Sequence, residues 1–276
     1  MAITAEMVKN LRNATGAGMM DCKKALTDAN GDIKEAEKIL KKMGLAAVAK
    51  RADRATENGN VTIASDKNGA VIVTISCETD FVARNEEFKQ LGEKIASIAL
   101  KNKLTTVTDE LKKEVEALIS TIKENMAIKS LIYIPLKSNE RVEAYLHGGG
   151  VIGVAIKYAS DNEATLENAE VKDFMHSVAL HVAAFRPLYL SSDKVDEAYK
   201  KEQLEIFQGQ VAALDKPEKV KEGIVQGKLK KLYDEVCLLS QAYVKDDSMS
   251  VEAALKNTEK ATGTAFSIED FWYVEA

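Results

Sequence analysis

Residues 61–77 read VTIASDKNGAVIVTISC, and their apolar side chains recur with a period of two. The two apolar runs flank Asn68-Gly69, the residue pair most typical of a short turn between antiparallel strands. A stretch with the spacing of an amphipathic helix, from Phe88 to Ile98, follows. The segment therefore predicts an antiparallel hairpin that packs against a helix, which is the building unit of an α+β fold.

The same order of elements recurs farther along the chain. Strand-like segments at 141–147 (RVEAYLH) and 151–158 (VIGVAIKY) flank three glycines, and a helix with apolar residues from Val171 to Val182 follows. Both units run strand, glycine turn, strand and helix, and this similarity predicts two related α+β subdomains that share a core. Residues 264–274 (TAFSIEDFWYV) are expected to form a strand that rejoins the second sheet.

Three short helices are predicted at the N-terminus. Thr4 is placed to cap the first helix, Asp32 and Glu35 form an N-terminal capping pair for the third, and Gly44 is expected to end it. Helices joined by such short connections pack as a small bundle. The bundle differs in charge from the whole chain, because residues 1–54 carry eleven basic and seven acidic side chains.

Residues 191–234 contain two polar, charge-rich helical stretches that break near Pro217, which suits a first helical turn. Their apolar positions are sparse, which predicts a projecting antiparallel helical hairpin. These positions are Tyr199, Ile206, Val220, Ile224 and Leu232. The predicted domains are a three-helix bundle with its linker at 1–54, core subdomain N at 55–140, core subdomain C at 141–190, the helical hairpin at 191–234 and a return to core subdomain C at 235–276.

Composition narrows the class of protein. The 276 residues carry 38 Lys and Arg against 43 Asp and Glu, a net charge of −5 that argues against a globally basic nucleic-acid binder. Three cysteines, an odd number without short spacing, predict reduced thiols rather than a disulfide framework. No apolar run approaches 18 residues, and the sequence starts on a capped helix rather than a signal peptide. We therefore expect a soluble cytoplasmic protein.

None of the motifs supplies a catalytic site. Gly148, Gly150 and Gly153 match GxGxxG, but a period-two run follows them where a dinucleotide site needs a helix, so they indicate a turn. The HGGG sequence resembles a hydrolase oxyanion loop, yet no GxSxG supplies the nucleophile. His176 and His181 are five residues apart and lack the glutamate of HExxH, which argues against a shared metal site. We expect no enzyme, cofactor or metal; a Cys–His–acid set stays open.

Adjacent methionines in TGAGMMDCKK, residues 15–24, cannot both face the core of one short helix, because neighbours lie about 100° apart on a helix. Core packing accounts for Met20. For the motif as a whole, packing in the core is favoured over a binding role. Met19 lies beside the basic pair Lys23 and Lys24. It is a candidate exposed anchor, since flexible methionine side chains suit binding surfaces.

The segment CETDFVARNEEF, residues 77–88, joins a strand to a helix that needs a cap near Asn85. Asp80, Phe81 and Val82 are therefore expected in a connecting loop. Two interpretations of Phe81 stay open. The ring folds back into the core, which is the favoured interpretation for a phenylalanine in a loop, or it is offered to a partner's pocket beside the Asp80 carboxylate.

Four motifs occur in a fixed order: TGAGMMDCKKAL at 15–26, TDFVARN at 79–85, YLHGGGVIGV at 145–154 and HVAAFRP at 181–187. In order and separation they resemble the bacterial elongation factor Ts family, the guanine-nucleotide exchange factors of elongation factor Tu. The resemblance covers nearly the whole chain. It implies a ubiquitin-associated-like three-helix domain, a two-part α+β core and an inserted helical coiled coil, in agreement with the elements predicted from periodicity.

The resemblance also implies a mechanism. Such a chain binds the GDP form of elongation factor Tu, displaces its magnesium ion and stabilises the nucleotide-free form until GTP binds. The partner-binding residues implied are Thr79, Asp80, Phe81 and Val82 for magnesium displacement, Arg12, Met19, Met20 and Lys23 in the N-terminal domain, and His147, Gly148 and Gly149 in core subdomain C. Phe81 is implied as the intruding ring and Asp80 as a polar contact beside it.

The resemblance implies no membrane and no direct nucleic-acid partner, and it leaves a homodimer or a 2:2 complex open. Members of the family often continue past the last strand into a C-terminal helix that also contacts the partner. This sequence ends at 271–276 (FWYVEA), which argues against that contact.

Three alternatives stay in view. An adaptor or chaperone would bind a partner without changing nucleotide release. An enzyme with an unrecognised active site would show turnover by the purified protein alone. An RNA-binding protein would lose affinity steeply with salt, although residues 1–54 are too weakly basic to favour it.

Overall fold

The structure is a computed structural model that describes residues 3–276, apart from the side chain of Leu45. Its helices are α1 (Ala5–Thr15), α2 (Met19–Asp28), α3 (Ile33–Ala49), α4 (Asp80–Ala83), α5 (Glu86–Lys101), α6 (Asp109–Ile122), α7 (Glu163–Leu166), α8 (Ala169–Phe185), α9 (Glu197–Ala212), α10 (Glu218–Val236) and α11 (Val251–Thr262). Its strands are β1 (Asn58–Asp66), β2 (Gly69–Cys77), β3 (Met126–Pro135), β4 (Glu140–His147), β5 (Ile152–Ala159), β6 (Ala242–Tyr243), β7 (Asp246–Ser250) and β8 (Ser267–Glu275). This mixture of helices and small sheets confirms the predicted α+β class. Among the described residues, no helix is long and apolar enough to cross a membrane.

The chain divides into two compact units. The first holds the chain up to Ile134 together with Gly148–Ile152 and Glu275–Ala276, and the second holds Pro135–His147 and Gly153–Val274. The first unit contains α1–α6 and a sheet of order β1-β2-β3. The second contains α7–α11, a sheet of order β4-β5-β8 and the small β6-β7 pair. The finer domain boundaries from the sequence stay a prediction.

Helices α1–α3 pack around a small apolar core. Thr4 caps α1 by accepting a hydrogen bond from the Met7 amide at 3.2 Å, and Asp32 caps α3 by accepting one from the Glu35 amide at 3.0 Å, as predicted. The buried residues of this core are Val8, Leu11, Cys22, Ala25, Leu26, Ala29, Ala36 and Leu40. The first two residues of the predicted 1–54 domain lie outside the described residues.

The prediction that Gly44 ends the third helix is wrong, because α3 continues to Ala49. Gly44 lies where α3 passes α6. A Cβ at this position would approach the Ser120 hydroxyl oxygen to 2.9 Å, closer than such atoms pack. The missing side chain of Gly44 therefore allows the two helices to approach each other, and it does not turn the chain.

Strands β1 and β2 form the predicted hairpin, with Asp66 opposite Gly69. The Asp66 carboxylate accepts hydrogen bonds from the amides of Asn68 and Gly69 at 2.7 and 3.0 Å, which fixes the turn. Strand β2 lies between β1 and β3 and is buried along its whole length. The strand that ends at Cys77 is therefore the rigid centre of the first sheet.

In the second unit, β8 pairs with β5, so the C-terminal segment rejoins this sheet as predicted. Helix α8 packs against β4 and α11. It buries Val171, Phe174, Val178 and Val182, which are the apolar positions of the predicted helix. The sheet and α8 thus form the core of this unit.

Helices α9 and α10 pack against each other and are joined at residues 213–217. Val211 and Val225 are the buried residues of this pair. The apolar positions named from the sequence are less buried, and Ile206 and Val220 are exposed. The contact between the two helices is therefore narrow, as expected from their sparse apolar residues.

His181 is fully buried on α8, and its hydrogen bonds determine its tautomer. Its Nε2 lies 2.8 Å from Gln241 Oε1, while the Gln241 amide nitrogen donates to the Glu235 carbonyl at 2.8 Å. The oxygen facing His181 is an acceptor, so Nε2 carries the proton. Nδ1 is buried without a hydrogen-bond partner among the described residues. Burial lowers the pKa of His181 below its ordinary value, and the ring is neutral.

Protonation of His181 should destabilise the fold. Because its pKa is lower in the folded state than in the unfolded state, the free energy of unfolding falls as the pH drops through the unfolded value of about 6.5. Urea unfolding at about pH 7.5 and about pH 5.5 should show a larger loss of stability for the wild type than for His181→Gln, which keeps a donor to Gln241. Equal losses in the two proteins would contradict this description of the ring.

Candidate partner interface

The chain between Thr79 and Asn85 contains helix α4, a single turn between β2 and α5. The prediction of a loop here is wrong, because the Thr79 hydroxyl accepts a hydrogen bond from the Val82 amide at 3.3 Å and so caps a helical turn. Asn85 caps α5 by accepting from the Glu87 amide at 2.8 Å, as predicted. Both helices thus start at a side-chain cap, which fixes the path of this connection.

Two kinds of contact hold α4 in place. On its inner side, Val82 and Ala83 are buried in the core of the first unit, so the side chain of Val82, which the resemblance implies as partner-binding, is not exposed to a partner. At its start, Thr79 donates from its amide to Glu124 Oε2 at 3.1 Å and from its hydroxyl to Glu124 Oε1 at 2.8 Å. Hydrogen bonds to a carboxylate are stronger than those between neutral groups. The short helix is therefore fixed at its N-terminus and along its buried side.

Phe81 lies on the outer side of α4, and 83% of its surface is exposed. The interpretation that this ring folds back into the core is therefore wrong. Asp80 beside it is also exposed and pairs with Arg84 at 3.2 Å. An exposed aromatic ring can enter a pocket of another protein, while the neighbouring carboxylate makes a polar contact at the edge of that pocket.

Cys77 ends β2 next to this helix, and its thiol donates to the Thr79 carbonyl at 3.2 Å. Burial, followed by the negative charge of Glu124, raises the pKa of this thiol to about 12. The thiol therefore stays protonated at neutral pH and is a poor nucleophile. The Cys–His–acid set that the sequence leaves open gains no support from this cysteine.

Met19 and Met20 open α2, and 50% and 74% of their surfaces are exposed. The assignment of Met20 to the core, and the preference for core packing of the pair, are wrong, because Cys22, Ala25 and Leu26 occupy the inward face of this helix. Their spacing of three and four positions was the signal for that face in the sequence. Both methionines are thus free to contact a partner.

Arg12 and Lys23 are also exposed, on α1 and α2. Lys23 lies one helical turn beyond Met19 and Met20, so the start of α2 presents flexible apolar side chains next to a cation. Methionine side chains adapt to the shape of a partner, and exposed cations favour an acidic one. The surface therefore has the composition of a docking site.

His147 ends β4 and is exposed, and its Nδ1 lies 3.0 Å from the Tyr145 hydroxyl. Gly148 and Gly149 follow with φ values of 61° and 71°, which glycine adopts without strain. Gly153 lies inside β5, so a strand and not a helix follows, and the glycines form the predicted turn. A Cβ at position 149 would meet open space, so another molecule can approach the backbone there.

The residues implied by the resemblance thus lie at three separate places: α4 with its cap Thr79, the surface of α1 and α2, and the end of β4 with the turn that follows it. Sequence reasoning missed Glu124, which holds Thr79 from 45 positions farther along the chain. No motif surrounds Glu124, so only the fold reveals its contact. Groups of three or more His, Cys, Asp or Glu side chains able to hold a metal are absent from residues 3–276.

Comparison with known proteins finds relatives over nearly the whole chain. A family model described as elongation factor TS matches residues 78–276. The chain is 48% identical to elongation factor Ts of Treponema denticola, over 97% of this chain and 96% of the relative. It is 41% identical to elongation factor Ts of Borrelia hermsii over 99% of each chain, and 38% identical to that of Clostridium botulinum over 98% of this chain and 91% of the relative.

Two neighbouring residues of α4 should differ sharply in their effect on stability. Phe81→Ala should change the free energy of unfolding by less than about 0.5 kcal/mol, because most of the ring already faces water. Val82→Ala should lower it by about 1–2 kcal/mol, because two buried methyl groups are lost. Urea unfolding followed by circular dichroism measures both. If Phe81→Ala proved as costly as Val82→Ala, the ring would be packed against the chain in solution.

Proposed function

The chain belongs to the elongation factor Ts family, and we propose that it is the guanine-nucleotide exchange factor of elongation factor Tu. It binds the GDP-bound partner, displaces its magnesium ion and promotes GDP release, and it stabilises the empty partner until GTP binds. The observation that carries this proposal is the 83% exposure of Phe81 on a helix held by Thr79 and Val82.

In this mechanism Phe81 enters the partner near its nucleotide site, and Asp80 makes a polar contact beside the ring. GTPases hold their nucleotide through amides around the phosphates, a lysine and a bridging magnesium ion. Displacement of the magnesium removes much of the neutralisation of the phosphate charge, so GDP dissociates faster. The chain itself makes and breaks no covalent bond, and it is not an enzyme in the usual sense.

Phe81 alone cannot supply the required free energy. An exchange factor binds the empty partner more tightly than the loaded one, and by reciprocity it weakens nucleotide binding by the same factor. A shift of about 10⁴ in such an equilibrium takes about 5.5 kcal/mol of differential affinity. Burial of one phenylalanine contributes about 1.5–3 kcal/mol. A broad interface must therefore supply the rest.

The other exposed groups provide that interface. Arg12, Met19, Met20 and Lys23 dock the N-terminal domain on the nucleotide-binding domain of the partner. His147, Gly148 and Gly149 bind its third domain. The exposure of these side chains and the open backbone at Gly149 support this assignment.

The proposal extends to location and assembly. We place the chain in the cytoplasm with elongation factor Tu, as expected for a factor in translation elongation. The proposal leaves a homodimer and a 2:2 complex with the partner open. The domain boundaries predicted from the sequence, with the bundle ending near 54, belong to the same proposal.

Phe81→Ala should slow exchange more than it weakens docking. We expect the release rate of a fluorescent GDP analogue from elongation factor Tu, at saturating variant, to fall by about ten- to a hundredfold, which corresponds to the free energy of burying one ring. Stopped-flow fluorescence measures this rate. Leu188→Ala, which removes an exposed apolar side chain outside the proposed surfaces, should leave the rate unchanged.

If GDP were released as fast with Phe81→Ala as with the wild type, the assignment of Phe81 as the ring that enters the partner would be wrong. If the wild-type chain bound elongation factor Tu without accelerating GDP release, the adaptor alternative would be correct. Excess magnesium should slow the release promoted by the wild type, because it opposes displacement of the ion.

Met19 and Met20 should affect docking on the partner, not the rate of exchange at saturation. Replacing Met19 and Met20 together by alanine should raise the concentration of chain needed for half-maximal release by about tenfold or more, because apolar anchors of the interface are lost. The rate at saturation should stay close to that of the wild type, since Phe81 is untouched. Ile33→Ala, at another exposed apolar residue of the bundle, is the matched control and should have no effect.

A further inference from the structure

The turn between α6 and β3, residues 123–125, makes contacts in three directions. Lys123 ends α6 with φ at 67°, a left-handed conformation that few residues other than glycine adopt, and its amide donates to the Ile119 carbonyl at 2.8 Å. The chain is thereby redirected, and three consecutive side chains reach three different parts of the first unit. Such a costly backbone conformation persists where the surrounding contacts require it.

Glu124 and Asn125 are joined to the start of α4 by a reciprocal pair of carboxylate contacts. The Glu124 carboxylate accepts from the amide and hydroxyl of Thr79 at 3.1 and 2.8 Å. In the opposite direction, the Glu78 carboxylate accepts from the Asn125 amide at 2.6 Å. Two neighbouring residues in each segment thus hold the other segment, so neither can shift alone.

The Asn125 side chain connects the same turn to the segment that follows α3. This side chain is 8% exposed, and its amide nitrogen donates to the carbonyls of Ala52 and Arg54 at 3.2 and 2.7 Å. Arg54 in turn pairs with Glu78 at 3.4 Å. A buried amide that satisfies two backbone carbonyls is costly to remove, because both acceptors would lose their partner. The exit from the bundle is therefore fixed to the segment that carries Phe81.

Lys123 supplies a third connection. Its ammonium group lies 3.4 Å from the carboxylate of Asp21, which follows Met19 and Met20 on α2. Both partners of this ion pair are about half exposed, so it adds little stability. The ion pair nevertheless connects α2, which carries Met19 and Met20, to the turn that holds α4.

We propose that Glu124 and Asn125 are positioning residues for nucleotide exchange, which set Phe81 and the Met19–Met20 surface at the spacing that one partner molecule requires. The inference rests on the proposed function. Two contacts on one partner reinforce each other only if their geometry allows both to form at once. A ring presented on a loosened helix would lose that advantage, even where each contact stayed intact by itself.

The test compares Glu124→Ala with Glu124→Gln in the full-length chain, with elongation factor Tu and a fluorescent GDP analogue. The glutamine oxygen can accept from the Thr79 amide while its nitrogen donates to the Thr79 hydroxyl, so this variant should keep most of the exchange rate. Glu124→Ala loses both bonds and should slow release at saturation by about tenfold or more. Glu114→Ala, which removes a carboxylate of α6 that pairs with Lys94 of α5, is the matched control and should match the wild type.

A double-mutant cycle separates positioning from a general loss of structure. If Glu124 acts through Phe81, then Glu124→Ala should have no further effect on release once Phe81 is alanine. Equal slowing in both backgrounds would overturn the proposal, as would a wild-type rate for Glu124→Ala. Asn125→Ala should raise the concentration of chain needed for half-maximal GDP release and lower the release rate at saturation. If neither quantity changed, the assignment of Asn125 would be wrong.

Circular dichroism and urea unfolding establish that each variant is folded at the assay temperature. The outcome also separates the two proposals. Wild-type chain that fails to accelerate release contradicts the proposed function itself. If the wild-type chain accelerates GDP release, and Phe81→Ala slows this release but Glu124→Ala does not, only the positioning role is contradicted.

Discussion

The proposed function of the first unit depends on one constraint, which is that the ring of Phe81 stays exposed to water. A large apolar side chain gains about 1.5–3 kcal/mol when it is buried, so an exposed ring on a free loop tends to collapse onto its own core. Here the chain around Phe81 cannot collapse. Val82 and Ala83 hold the inner side of α4, and the Glu124 carboxylate holds its start. The free energy of burying the ring therefore stays available for another protein.

The surfaces assigned to the partner differ in their physical character. Phe81 is a stiff aromatic side chain on a helix with few degrees of freedom, which suits insertion at one defined place. Met19 and Met20 are flexible side chains that adapt to the surface they meet. The turn at Gly149 offers backbone rather than side chain. This division suits a protein that must find its partner, hold it and disturb one site within it.

Much of the fold follows from local chemistry and could be predicted from the sequence. The caps at Thr4 and Asp32 and the turn at Asn68-Gly69 depend on hydrogen bonds between near neighbours, and all three are present. The end of α3 could not be predicted at Gly44, because the role of this glycine depends on Ser120 of a distant helix.

The candidate site could be predicted only in part. An acidic residue beside an aromatic one and a family resemblance indicate the segment around Phe81, but its helical form depends on the cap by Thr79. The sequence places Met20 in the core, but Cys22 fills the inward position of that turn. Glu124 carries no local signal at all, since its partner lies 45 positions earlier in the chain.

In the proposed mechanism this chain binds the empty partner more tightly than the loaded one. Isothermal titration calorimetry can measure its dissociation constant with nucleotide-free elongation factor Tu and, separately, with the GDP-bound form in the presence of magnesium. By reciprocity, binding to the empty form should be tighter by the same factor by which the chain weakens the affinity of the partner for GDP. Equal dissociation constants for the two forms would contradict the mechanism.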